Sequence, residues 1–340
     1  MYKPNPNMKK TIILSLFSMS THIITAQSKT IGKIDRYDAA LDKIIDVNTK
    51  IEILGEGFVW SEGPVWVRDG EYLLFSDVPA NIIYRWKQGE TITEFLKPSG
   101  YTGILPYSDE PGSNGLIINQ IGNLVSCEHG DRRLAEMPLI VGGKRTLADN
   151  YAGKRFNSPN DVIQKSNGDY YFTDPPYGLR QKENDPSRET PLFGVYKVDK
   201  TGKVTLIIED LTRPNGLAFS PDEKILYVAQ SDPDRAYLMA YPVFVDGKVG
   251  KGRIFYDMTS MVKQGLRGLP DGMKIDKKGN IFTTGPGGVL ILSPEAKLLG
   301  RIDTGEATAN CAFGNDGSVL YITADMYLLK VQTQTIGVGF

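Results

Sequence analysis

The chain has 340 residues, 41% of them hydrophobic and 23% charged, with a formal net charge of −1. That supplies a large packed core, and the near balance of charge excludes a basic nucleic-acid-binding surface as its organising feature. The 36 glycines have no collagen-like period and suit a turn-rich β architecture instead.

In chain order, residues 1–26 read first as a secretory signal. Met8-Lys9-Lys10 supplies a basic start, Thr11 to Phe17 an apolar stretch, and cleavage is expected near Ala26-Gln27. The product is expected to be periplasmic or secreted, with no membrane span in the rest. Residues 27–50 form an N-terminal extension. Within it Leu41, Ile44 and Ile45 predict a short helix between Tyr37 and Val47, lying across the outside of the fold. The strand-like run Lys50-Ile51-Glu52-Ile53-Leu54 follows.

From there a phrase recurs six times, beginning at Glu62, Asn114, Asn160, Asn215, Asp271 and Asn310, at spacings of 52, 46, 55, 56 and 39 residues. Each copy reads as a strand, a tight turn and a second strand. Leu217-Ala218-Phe219 and Leu226-Tyr227-Val228 flank a turn at Pro221-Asp222-Glu223, and four other copies turn at Gly70, Gly122, Gly168 and Gly279. Further strand-like pieces, such as Ile82 to Trp86 and Gly194 to Val198, bring each unit to four short strands. That is the content of a propeller blade, and no run between repeats has the length and period of an amphipathic helix. The expectation is an all-β, six-bladed β-propeller over residues 51–340, with four-stranded blades. The strand near Ile51 is expected to join the last blade and close the ring, since an open propeller would leave unpaired edges. Cys127 and Cys311 fall in the second and sixth blades, too far apart to bridge, so two free buried thiols are expected.

Each repeat opens on an oxygen-bearing side chain. On the innermost strands of a propeller, equivalent residues meet around one axis, so Glu62, Asn114, Asn160, Asn215, Asp271 and Asn310 are expected to form a polar ring at one channel mouth. Asn and Asp before Gly are also ordinary turn residues, which is the structural alternative. Six in register, two of them acidic, favour a hard cation such as Ca2+, which takes oxygen ligands. Zinc would prefer His or Cys, and His129 is the one histidine beyond the signal.

Longer phrases carry a resemblance: Glu62-Gly63-Pro64-Val65-Trp66, Cys127-Glu128-His129-Gly130, Arg155 to Asp161 (RFNSPND), Phe172 to Gly178 (FTDPPYG), Arg213 to Ser220 (RPNGLAFS) and Leu269 to Met273 (LPDGM). In these the chain resembles the senescence marker protein/gluconolactonase/luciferin-regenerating enzyme family of six-bladed calcium-dependent hydrolases, from about residue 35 onward. The resemblance implies Glu62, Asn160, Asn215 and Asp271 as metal ligands, Asp271 as a catalytic residue, and hydrolysis of a sugar lactone. Bound Ca2+ would polarise the carbonyl and Asp271 would take a proton from water, with His129 as the alternative base. Loops from Pro98 to Ser113 and Pro175 to Pro191 are expected to roof the site. Tyr177, Asn114, Glu128, His129, Arg132 and Asn310 are candidates for contacting substrate. A phosphotriesterase or arylesterase on the same ligands, or a propeller that only binds a glycan or protein, remain the competing readings. There is no Gly-x-Ser-x-Gly elbow to support a serine hydrolase.

Overall fold

The computed structural model describes Met1 and residues 29–340. Met1 apart, the expected signal over residues 1–26 lies outside the described residues. Six antiparallel sheets of four or five strands succeed one another along the chain, with a two-stranded ribbon, Asn150–Tyr151 and Lys154–Arg155, between the second and third. The innermost strands of the six sheets are Ser61–Val67, Ser113–Ile118, Val162–Gln164, Pro214–Phe219, Met273–Ile275 and Thr308–Gly314. Each of these six strands touches the next, and the sixth touches the first, so the sheets are the blades of a closed six-bladed propeller.

The ring closes as expected. In the last blade Thr308–Gly314, Val319–Ala324 and Tyr327–Gln332 come from the C-terminal end, and Ile51–Glu56 completes the sheet by pairing with Tyr327–Gln332. Joining the two ends of the chain in one sheet replaces an exposed edge with backbone hydrogen bonds. The extension does more than the sequence suggested. Thr30–Ile31 pairs with Ile51–Glu56, and Lys33–Arg36 pairs with Leu298–Asp303 of the fifth blade, so one short segment covers the outer edges of two neighbouring blades.

The expected helix is a 3-10 turn, Ala39–Lys43, started by the Asp38 carboxylate accepting from Ala40 N–H at 2.8 Å. Leu41, Ile44 and Ile45 are buried in the seam between the fifth and sixth blades, against Leu299, Phe313 and Val331. Every seam between successive blades has an apolar cluster of this kind. Each large side chain buried there contributes about 1.5–3 kcal/mol. The alternation of strand residues feeds both faces of each blade, which is why nearly continuous apolar runs such as Ile281-Phe282 and Val289-Leu290-Ile291-Leu292 are fully buried. Cys127 and Cys311 are buried and unpaired, as expected. Among the described residues, no helix is long and apolar enough to cross a membrane.

Candidate active site

The six repeat-opening residues stand together at one end of the inner strands, and local backbone irregularity aims them. Pairing of the inner strand with its neighbour slips between Glu62 and Val65, Ser113 and Leu116, Pro214 and Leu217, and Thr308 and Asn310. In the third and fifth blades the inner strand begins only at Val162 and Met273, just after Asn160-Asp161 and Asp271-Gly272. A bulge or strand start turns a side chain out of the plane of its sheet, here toward the axis.

The glycines of the phrase are explained by close approach of neighbouring blades. A Cβ on Gly63 would lie 2.0 Å from the Asn114 carbonyl oxygen, and one on Gly272 would lie 2.0 Å from Asn310 Oδ1. Gly115 and Gly216 meet Asp161 and the Asp271 carbonyl in the same way. At these four of the six junctions a blade leans on the repeat opening of the next, and only a hydrogen fits between them.

Glu62, Asn114, Asn160, Asn215 and Asn310 are all buried, and Asp271 is half-buried at the mouth. Some of their polar atoms are held within the ring. Glu62 Oε2 accepts from Gly63 N–H at 2.9 Å, Asn310 Oδ1 from Cys311 N–H at 2.9 Å, and Asn215 Nδ2 donates to Ser231 Oγ at 3.0 Å. Others have no partner: Asn114 Oδ1, Asn160 Oδ1 and Asp161 Oδ2 are buried acceptors without a donor. An orphaned buried acceptor costs about 1–3 kcal/mol. Three in one channel need a common donor or a cation.

Charge in the channel says the same. Burial raises the Glu62 carboxyl above the usual range, and the fields of Asp161 and Glu110 add to it. Burial likewise raises Asp271, with Glu62, Asp161 and Glu110 contributing, while Asn215 partly offsets the rise. Asp161 is raised by burial, tempered first by Lys274 and by the Val162 N–H it accepts at 2.9 Å. Like charges packed this closely hold protons or attract a cation. Among the described residues no three His, Cys, Asp or Glu side chains converge on one point. A cation would rest on a mixed set of acids and amides, and the all-oxygen donors of Glu62, Asn160, Asn215 and Asp271 fit a hard ion.

His129 lies outside the ring but touches it. It is buried, its Nδ1 donates to the Glu110 carbonyl at 3.1 Å, and Asn160 Nδ2 reaches its Nε2 at 3.5 Å. Burial lowers its pKa to about 4, so the imidazole is neutral and orients the Asn160 amide with Oδ1 left free. Asp174 shapes the segment before Asn160, accepting from Asn157 N–H and Ser158 N–H at 2.8 Å each. Ser158 Oγ in turn donates to the Pro175 carbonyl at 2.6 Å and accepts from Gly178 N–H at 3.0 Å. These bonds pin the second roof loop beside the ring. Tyr177 within that loop has a buried hydroxyl with no partner, and burial and the field of Asp271 push its pKa up.

Two candidates sit in structural roles. Glu128 is fully buried and accepts from Arg133 Nε at 2.6 Å, from Lys144 Nζ and from Ser126 Oγ at 3.2 Å. Arg132 Nε donates to the Phe156 carbonyl at 2.6 Å and Nη1 to the Ser187 carbonyl at 3.0 Å, tying the second blade to the second roof loop and to the segment that leads into the third blade; its Nη2 is buried without a partner. The repeat pattern misses Asp161 and Glu110. Asp161 carried a signal, being acidic where four other copies have glycine. Glu110 carried none, since it comes from a loop with no period.

The chain matches the family model described as the SMP-30/Gluconolactonase/LRE-like region over residues 60–325. It is 42% identical to a gluconolactonase of Zymomonas mobilis over 313 residues, 91% of this chain and 88% of that one. Among solved structures, a gluconolactonase from Xanthomonas campestris superposes with a TM-score of 0.77 at 29% identity, covering 91% of this chain and 99% of that one. A calcium-binding regucalcin from Agrobacterium tumefaciens shares the fold, with a TM-score of 0.65 at 20% identity over 85% of this chain and 94% of its own. With a family match spanning most of the propeller, the chain belongs to the SMP-30/gluconolactonase/LRE-like family.

Proposed function

We propose that this protein is a Ca2+-dependent lactonase that opens a sugar lactone with water. The observation that carries the reading is the polar ring itself, where acids with uncompensated charge stand beside buried amide oxygens that have no donor. The gluconolactonase relatives support lactone chemistry, and the calcium-binding regucalcin supports the choice of ion.

Glu62, Asn160, Asn215 and Asp271 would hold the cation, which when bound supplies Lewis-acid polarisation of the lactone carbonyl and charge for the oxyanion. Asp271, the ring acid with an edge toward solvent, accepts the proton of the attacking water. His129, buried and bonded through Nδ1 to the Glu110 carbonyl, fixes the Asn160 amide through Nε2. The unpartnered Asn114 Oδ1 and Tyr177 hydroxyl would bond the sugar hydroxyls. The leading segment agrees with export to the periplasm or beyond the cell.

The test is hydrolysis of glucono-δ-lactone by protein stripped with chelator and then resupplied with Ca2+. Activity is expected to vanish and return. The variant Asp271→Asn, supplied with Ca2+, is expected to keep its fold and lose on the order of 100-fold or more in kcat. Turnover unaffected by stripping would remove the metal. Turnover of a phosphotriester or aryl ester, with none of the lactone, would replace the substrate class.

A further inference from the structure

We propose that Glu110 is the acid that protonates the ring oxygen as the lactone C–O bond breaks, a role that rests on the lactonase reading above. Glu110 stands on the first roof loop, and that part of the loop is held firmly. Its carbonyl accepts from His129 Nδ1 at 3.1 Å, His129 N–H donates to the Gly112 carbonyl at 3.1 Å, and Gly130 N–H to the Pro111 carbonyl at 3.0 Å. Because His129 Nε2 meets the Asn160 amide, a single imidazole separates the Glu110 backbone from the polar ring.

The Glu110 side chain, like that of Asp271, is free where Glu62, Asp161 and Glu128 are engaged. Among the described residues its carboxyl makes no hydrogen bond and no ion pair, whereas Glu62, Asp161 and Glu128 each accept at least one bond. Its carboxyl is near enough to Glu62, Asp271 and Tyr177 to raise the pKa of all three, and its backbone is one imidazole away from the ring residue Asn160. The other charged groups acting on it are Lys182 from the second roof loop and Asp109 beside it. Burial raises its carboxyl above the ordinary range, tempered by Lys182.

Two carboxyl groups in different environments can divide the proton traffic. Water oxygen bonds to the carbonyl carbon and its proton passes to Asp271. The ring C–O bond then breaks, and its electron pair leaves on an alkoxide. A sugar alkoxide is a poor leaving group, so the proton it takes from Glu110 lowers the barrier to cleavage. Glu110 is recharged by the proton on Asp271 through solvent, and the products are one hydroxy acid and the free enzyme.

A lactone whose leaving group is a phenol needs no such proton, and this separates the role from mere positioning. The Ca2+-loaded wild type and Glu110→Gln are compared on glucono-δ-lactone and on dihydrocoumarin, with uncatalysed hydrolysis subtracted. The variant is expected to lose on the order of 100-fold in kcat on the sugar lactone and to stay within about threefold on dihydrocoumarin. Its calcium affinity by calorimetry is expected to match wild type, and Glu110→Asp to recover part of the lost rate. Equal losses on both lactones, or none on either, would overturn the assignment. Wild-type protein that opens no lactone would instead sink the underlying function. If dihydrocoumarin is not accepted, the pH profile on the sugar lactone decides. The wild-type rate is expected to fall on the alkaline side as Glu110 ionises, and Glu110→Gln to lack that limb; an identical limb in both would also count against the role.

Discussion

Acids at the channel mouth are told apart by what each side chain touches. Glu62 and Asp161 accept from their own strand, whereas Asp271, with an edge toward solvent, and Glu110, on the first roof loop, have carboxyls that make no hydrogen bond among the described residues. His129 completes the set as a buried neutral base whose protonation is held down to about 4 against an ordinary 6.5. This has a consequence for acid stability. The folded state resists protonating His129 while the unfolded chain does not, so the unfolded state binds more protons between those two values. Stability is whole above pH 6.5 and falls as pH drops toward 4, by about 3 kcal/mol from this one group. Denaturation followed at several pH values is expected to show a flatter acid limb in His129→Gln; parallel limbs would mean that other groups carry the loss.

Blade elements do two jobs, and their irregular parts do the chemical one. Regular pairing in the outer strands builds the seams. The slips beside Glu62, Asn114, Asn215 and Asn310 break that pairing where a side chain must leave its sheet. The N-terminal extension belongs wholly to the first job. Leu41 is fully buried in the seam between the fifth and sixth blades, tight against Gly300, on the side of the molecule away from the polar ring residues. Leu41→Ala is expected to cost about 2–5 kcal/mol in urea denaturation. The calcium-loaded variant is expected to retain its kcat at temperatures where it is folded. A stability change below about 0.5 kcal/mol would show that the extension is not part of the core.

At the scale of the whole molecule, the ring is closed three times over. The N-terminal strand joins the last blade, the inner strands lean on one another through glycines, and the C-terminal tail crosses the far ends of the inner strands. There Val338 N–H donates to the Ile275 carbonyl, Phe340 packs on Gly317, and Arg68 lies 4.3 Å from the centre of the Phe340 ring. A cation at the polar ring would bridge four blades at the opposite mouth, so its binding is coupled to the integrity of the circle. Calcium at 100 times its dissociation constant is expected to stabilise the fold by about 2.7 kcal/mol, raising Tm and making it depend on calcium concentration. A Tm indifferent to calcium would show that the folded state does not bind the ion preferentially.

The repeat period, the strand–turn–strand content and the oxygen opening each copy are all local patterns, and they alone determined the propeller, its blade count and the expectation of a ring of Glu62, Asn114, Asn160, Asn215, Asp271 and Asn310; the choice of four among them as ligands came from the family resemblance. The closing strand was legible for the same reason, since a run like Lys50 to Leu54 must find a partner edge. What the tertiary structure decided depends on contacts between segments far apart in sequence. Asn-Gly and Asp-Gly read as turns along the chain, but in space Gly63 and Gly272 are points where one blade presses on the next. Glu128 and Arg132 were legible only as polar candidates, and the tertiary structure adds that Arg133, Lys144 and the loop carbonyls hold them. Glu110 had no period to mark it, because a roof loop acquires its place over the channel only when His129 folds beneath it.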